Sequence, residues 1–297
     1  PLVPGVFRMR TLGVLLAVSA VALLPSSLRA QETEQTLYVS VLDKAGHPVS
    51  GLDVPDFRVK EDGQSREILR AGRTADPLDL GILIDNSQSI QPYLNDFRKA
   101  LTTFVTKMAD EQSASISLIG MADRPTGLEN YTTSVATLQR GVQKVFPQPG
   151  AGTVFQDSIV DSIKGIRARK NPRRALLVIT ADGPDFSNVP YQRTLEVLAA
   201  SGTTLHVLRI SPNGGSMRDE PARDRSYVID QGTRASGGRR QELLTSMGLA
   251  DALSQVAEDL AAQYKVVYGR PGALVPPKAV EVGVTREDLT ARGTLAR

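Results

Sequence analysis

The stretch Asp85-Asn86-Ser87-Gln88-Ser89 sets one carboxylate and two hydroxyls at alternate positions. Oxygen donors of this kind, few of them charged, suit a hard divalent cation. Two other stretches carry matching chemistry. Gly150-Ala151-Gly152-Thr153 is a glycine-containing loop that delivers a hydroxyl just before Phe155, and Thr180-Ala181-Asp182-Gly183 supplies a second carboxylate. Alone, Asp-x-Ser-x-Ser is a common pattern built from common residues. It is equally a helix start, with Ser89 as N-cap and Pro92 in the first turn. Together the three stretches read as a cation site.

The elements that must position these groups are legible in the apolar pattern. Leu80-Gly81-Ile82-Leu83-Ile84 has no polar alternation, as expected of a strand buried on both faces. After Ser89 the rhythm becomes helical, with Ile90, Leu94, Phe97, Leu101, Phe104 and Met108 at spacings of three and four. Strands are expected at Leu78–Ile84, Ser115–Met121, Arg174–Thr180 and Thr203–Ile210, with a weaker one near Glu129–Thr132. Helices alternate with them: one around Val135 to Val145, one from Phe155 to Ile166, one over Tyr191–Ala200 and one from Leu249 to Leu260. This alternation predicts an α/β fold, a doubly wound, mostly parallel sheet flanked by helices. In such a sheet the strand ends share one edge, so the three loops converge there.

Both ends of the chain read as β. Leu37 to Leu42 is a first strand, and Phe57–Glu61 and Gln64–Leu69 flank Asp62-Gly63, a two-residue hairpin signal that would set Phe57 opposite Ile68. Arg70 to Pro77 reads as a linker. Ser211–Arg240, rich in Gly, Arg, Asp and Ser, reads as a mobile loop with a short strand at Ser226–Ile229, or as a binding loop at the rim. Gln263–Tyr268 and Ala279–Thr285 are closing strands. Strands at one end alone cannot bury a core, so the two ends are expected to make a small β module together. The expected organisation is residues 1–30 as a leader, 31–76 as an N-terminal β segment, 77–264 as the α/β domain and 265–297 as strands packing on the N-terminal segment.

Met9-Arg10 leads into the apolar run Leu12 to Leu24, followed by Leu28-Arg29-Ala30. A basic start, a short apolar core and Ala at a cleavage position describe a secretory signal peptide starting at Met9. A buried core helix is the competing reading. The run is shorter than the ~20 residues of a spanning helix, so no transmembrane segment is expected after cleavage. Export to the periplasm, the cell surface or the medium follows.

Residues 1–30 hold Arg8, Arg10 and Arg29 and no acid; without them 32 basic residues face 32 acidic ones. That balance offers no cationic field for nucleic acid or an anionic membrane. The chain has no Cys and only His47 and His206, which excludes disulfides, thiolate catalysis and multi-histidine metal sites. No Gly-x-Ser-x-Gly elbow or phosphate-binding P-loop is present. His206, inside a strand, reads as a packed residue. The basic clusters Arg167 to Arg174 and Arg239-Arg240 read as solvated faces.

Asp85-x-Ser87-x-Ser89, Thr153 after its glycines and Asp182-Gly183 resemble the von Willebrand factor A family. The resemblance implies a Rossmann-like fold and a metal-ion-dependent adhesion site (MIDAS). It makes Ser87, Ser89 and Thr153 direct oxygen ligands, with Asp85 and Asp182 completing the shell directly or through water. It implies Mg²⁺, or Mn²⁺ or Ca²⁺, and a protein partner that presents an Asp or Glu side chain to the metal. Val41-Leu42-Asp43-Lys44-Ala45-Gly46, Leu52, Asp56-Phe57-Arg58-Val59, Glu61-Asp62-Gly63 and Gln263-Tyr264 further resemble the exported bacterial VWFA-related proteins often labelled acidobacterial. That likeness runs from about Leu37 to Arg297. Asn86 and Gln88 fill variable positions of the motif, Gln88 stiffening a turn where Gly is frequent. Ala181 stands where Ser is common, and Asp185 reads as a solvated loop acid. The expectation is a non-enzymatic, exported, cation-dependent adhesion or protein-binding module. Its alternatives are a metal-independent structural or assembly component and a metal-dependent hydrolase.

Overall fold

All seven residues of Leu78–Ile84 are buried, Asp79 included, as the unbroken apolar run from Leu80 to Ile84 leads one to expect of a strand covered on both faces. The computed structural model describes residues 33–212, 220–272 and 279–296, together with positions 1, 2, 5, 275 and 277. The expected leader at 1–30 therefore lies almost wholly outside the described residues. Among the described residues no helix is long and apolar enough to cross a membrane.

In chain order the elements are β1 (Thr33–Leu42), β2 (Phe57–Glu61), β3 (Gln64–Arg66), β4 (Ile68–Arg73), β5 (Leu78–Ile84), α1 (Leu94–Gln112), β6 (Ser115–Gly120), β7 (Thr126–Thr132), α2 (Val135–Gln143), α3 (Phe155–Ala168) and β8 (Arg173–Ala181). There follow α4 (Tyr191–Ser201), β9 (Thr203–Ile210), α5 (Glu220–Tyr227), α6 (Thr233–Ser236), β10 (Arg240–Leu243), α7 (Leu249–Ala261), β11 (Tyr264–Arg270), β12 (Val280–Val284) and β13 (Thr290–Leu295).

The central sheet has six strands in the order β10-β9-β8-β5-β6-β7, all parallel except β7. Leu80, Ile82 and Ile84 of β5 pack on one face with Phe97, Leu101 and Met108 of α1 and with Leu253 and Val256 of α7. Leu83 points to the other face, among Phe155, Ile159 and Ile163 of α3. Each such side chain, fully withdrawn from water, stabilises the fold by roughly 1.5–3 kcal/mol. The chain leaves β5 through α1 to β6 on one side, while β8 lies on the other. The crevice above β5 and β8 is thus a topological switch point, where open α/β sheets bind ligands.

The terminal strands form two antiparallel sheets, β13-β1-β11-β4 and β12-β2-β3. They share a core of Leu37, Val39, Phe57, Val59, Tyr264 and Tyr268, with the Phe57 and Tyr264 rings 5.3 Å apart. A β module drawn from both ends is thus present, as expected.

Four details depart from the sequence reading. The Asp62-Gly63 turn is there, both residues at positive φ (48° and 80°) as a type I′ hairpin needs, but its second arm ends at Arg66. Ile68 does not face Phe57; it pairs with Tyr268 of β11, because the chain passes at Glu67 from one sheet to the other. The expected linker therefore begins inside β4, whose last four residues, Arg70 to Arg73, are strand. In the expected loop, Ser226–Ile229 is helical, lying across α5 and the π turn Val228–Gly232. Finally, two of the arginines read as solvated, Arg173 and Arg174, are buried, while Arg167, Arg169 and Arg240 are exposed. Arg173 is 5% exposed and donates to Gln263 Oε1 at 3.0 Å and to the carbonyls of Asp76 and Leu260, while Arg169 meets the wholly buried Asp79 at 2.9 Å.

Candidate metal centre

Asp85 leaves the carboxyl end of β5 and is wholly buried. Its Oδ1 accepts from the Ser87 amide at 2.9 Å, and its Oδ2 accepts from Thr180 Oγ1 at 2.9 Å and the Ala181 amide at 3.0 Å. One carboxylate thus closes its own turn and fastens that turn to the end of β8. Ser87 Oγ accepts from the Ser89 amide at 3.2 Å, which makes Ser87, not Ser89, the cap of the 3-10 turn Gln88–Tyr93. The extended backbone of Ser87 (ψ 174°) is what lets it cap, and Ser89 is already inside the turn. The Ser89 hydroxyl makes no hydrogen bond among the described residues.

Thr153 is brought to this turn by backbone pairing. The Gln88 amide donates to Ala151 O at 3.2 Å, and the Gly150 amide donates back to Gln88 Oε1 at 2.8 Å. Gln88 therefore fastens two of the three loops together, a role hidden at a variable motif position. Thr153 donates from N (2.9 Å) and Oγ1 (3.2 Å) to Pro184 O, joining the second loop to the third. Asn86 also anchors, its Oδ1 accepting from the Ala122 amide at 2.9 Å.

Two glycines make the close approach possible. A Cβ on Gly183 would lie 2.0 Å from Ser89 Oγ, and one on Gly152 would lie 2.7 Å from Pro184 O. The three loops meet, and no side chain fits between them.

Asp182 is 29% exposed and already committed. Its Oδ1 accepts from Arg209 Nε and Nη2, both at 2.7 Å, and its Oδ2 accepts from Ser211 Oγ at 2.7 Å. Arg209 belongs to none of the three motif stretches. The available signal was a cation in the otherwise apolar last turn of strand β9, at the edge where Asp182 sits. Asp185 is not a solvated acid: it is 7% exposed, with Oδ1 bound by Ser187 N and Oγ and Oδ2 unpartnered. Burial holds its carboxyl above the usual Asp range. Facing it is Arg225 of α5, 1% exposed, with Nε and Nη1 unpartnered. Burial pulls that guanidinium below its usual value, and the charge of Asp185 opposes the pull.

The donor set fits a hard cation in type. Among the described residues no group of three or more His, Cys, Asp or Glu side chains is placed to hold a metal ion, so a cation here would need hydroxyl oxygens in its inner shell. Ser89 offers its hydroxyl beside Gly183, in the cradle that a Cβ would fill, and Ser87 Oγ lies two residues back in the turn, accepting from the Ser89 amide. Thr153 Oγ1 donates its proton to Pro184 O and keeps its lone pairs free, whereas both Asp182 oxygens already accept from Arg209 and Ser211. His206 is remote in chemistry as well as place. It is 1% exposed, accepts from the Arg239 amide at 3.1 Å, and burial depresses its pKa to about 4.

A family model described as the von Willebrand factor type A domain matches residues 79–224. No curated protein matches the chain. Among solved structures, the D319A mutant of the PilB minor pilin from Streptococcus sanguinis aligns with a TM-score of 0.52 at 10% identity, over 77% of this chain and 88% of that one. Proximal thread matrix protein 1 from the mussel byssus, in a form with a zinc-occupied MIDAS motif, aligns at 0.50 and 15% identity. That alignment takes in 68% of this chain and 49% of the mussel protein. At these identities the likeness is one of fold.

Proposed function

Residues 79–224 form a von Willebrand factor type A domain, and from that premise we propose that the protein is an exported, non-enzymatic module that binds another protein through a divalent cation. The convergence of the Asp85, Thr153 and Asp182 loops at the switch point supports this reading most directly. Ser87, Ser89 and Thr153 would hold the cation, Mg²⁺ or else Mn²⁺ or Ca²⁺. Asp85 would fix the turn and share its charge, and Asp182 would complete the shell. The mussel protein carries zinc in its MIDAS motif, so the choice of metal here is for titration to decide. When bound, the ion supplies an under-neutralised positive charge with room for a carboxylate oxygen of the partner.

The chain's own residues prepare that contact. Asp85, by taking three donors, holds Ser87 and Ser89 in register with the end of β8. Gln88 and Thr153 hold the loops together. Export rests on the leader-like sequence at residues 9–30. Calorimetric titration with MgCl₂ and MnCl₂ tests the reading: uptake by the wild-type protein that is lost in Asp85→Ala supports it, and no uptake at millimolar metal refutes it.

One observation favours a second reading. Asp182 is saturated on Oδ1 and occupied on Oδ2 by the protein's own donors, as in a metal-independent assembly component. Partner capture that persists in EDTA and in Asp85→Ala would establish that alternative.

A further inference from the structure

Arg209 and a cation at this site want the same carboxylate. An ionised carboxylate offers about four lone-pair positions. On Asp182 three donors are in place: Nε and Nη2 of Arg209 on Oδ1 and Ser211 Oγ on Oδ2. Arg209 is itself 4% exposed. Behind it, Arg225 has no hydrogen bond on Nε or Nη1 and feels Asp185, Asp85 and Asp182 together. Two guanidiniums therefore back three carboxylates where a divalent ion would need negative charge. Arg209 also reaches away from the site, its Nη1 lying 3.4 Å from Ser226 Oγ on α5.

We propose that Arg209 competes with the cation for Asp182, setting the metal affinity of the site and relaying its occupancy to α5. The inference rests on the metal reading above and adds a regulator to it. With metal absent, Arg209 holds Asp182, and α5 is tied to the sheet through Ser226. With metal bound, Asp182 turns toward the hydroxyl trio, Arg209 loses its partner, and the tie to α5 loosens. The segment 220–227 then becomes the part of the rim that responds to the ion. A site built this way is weak by design and binds fully only when a partner's carboxylate adds its own charge.

The test pairs calorimetric titration of MgCl₂ into the wild type, Arg209→Gln and Arg209→Lys with hydrogen exchange of the wild type with and without MgCl₂. Removing a charge in contact with a ligand carboxylate should tighten binding by about tenfold or more. Arg209→Gln is therefore expected to bind magnesium about tenfold more tightly, and Arg209→Lys close to the wild type. In the wild type, magnesium should protect amides at 85–89 and speed exchange at 220–227 severalfold. Unchanged or weaker binding by folded Arg209→Gln overturns the inference and leaves the metal reading standing. If that variant does not fold, wild-type exchange decides: protection at 85–89 with no change at 220–227 overturns it. Magnesium uptake by no variant, with no protection at 85–89, overturns both.

Discussion

Arg239 grips Asp259 with two arms of its guanidinium, Nε to Oδ2 at 2.7 Å and Nη2 to Oδ1 at 2.8 Å, and the same Nη2 reaches Gly46 O at 3.0 Å. One side chain thus joins the segment before β10, helix α7 and the first turn of the terminal module. Asp259 is buried and Arg239 mostly so, their side chains 3% and 13% exposed. Removing one partner of such a pair leaves an uncompensated charge, which costs about 3–5 kcal/mol. Arg239→Ala is expected to lower the unfolding free energy by about that much in urea denaturation. Arg239→Lys should also fall short, since an ammonium cannot reproduce the two-pronged geometry.

His206 makes stability depend on acid. Burial depresses its folded pKa to about 4 from the 6.5 of an unfolded His, with Asp259 opposing and Arg239 and Arg292 assisting. Below pH 6.5 the unfolded chain takes up a proton that the folded protein refuses. Its contribution is therefore fully present above pH 6.5, is lost progressively as pH falls toward 4 and changes no further below that. The loss should reach about 3 kcal/mol. Denaturation at pH 7 and pH 4.5 should show the fall, and His206→Gln should flatten it.

Gly183→Ala probes the site without touching a charge. The new Cβ would meet Ser89 Oγ at 2.0 Å and Ser89 Cβ at 3.0 Å, so Ser89 must move. On the proposed reading, magnesium affinity in calorimetry falls by at least about tenfold. The loss of stability should stay near the 1–3 kcal/mol typical of overpacking. Unchanged affinity would remove Ser89 from the ligand set.

Inside the terminal module, Glu61 is 2% exposed and accepts from Tyr268 Oη at 2.7 Å and from Arg66 Nε at 3.0 Å. The pair links the two small sheets, and burial raises the Tyr268 hydroxyl well above its usual range, with Glu61 adding to the rise. Tyr268→Phe keeps the ring and removes one donor from a buried carboxylate. The expected cost is about 1–3 kcal/mol by thermal or chemical denaturation.

The central strands were legible because burial on both faces leaves an unbroken apolar run, and Thr203–Ile210 matches to the residue. Strand β10, Arg240-Gln241-Glu242-Leu243, was not: a four-residue edge strand with one buried side chain has no pattern to show. Helix α5 escaped for a similar reason, since Glu220–Tyr227 buries only Arg225 and carries no apolar stripe. The last four residues of strand β4 read as a linker because Gly72 and two arginines, Arg70 and Arg73, interrupt any alternation. At the site, the five candidate residues could be named from type and spacing. Arg209 and Gln88 act through partners that lie far away in the sequence, so spacing gave no sign of them.

β1 lies in the middle of its sheet, between β13 and β11, and Thr33 and Arg270 meet across 237 residues of chain. During synthesis that distance is a waiting time. At ~5–20 residues per second, β1 stands for roughly 10–50 s with both edges bare before its first partner arrives. The whole α/β unit lies in that interval of chain, and β13 follows after β12. Among the described strands, both edges of β1 are sealed only once β11 and β13 have been made. A chain stopped before residue 290 would leave one edge of β1 open to pair with a second copy of itself.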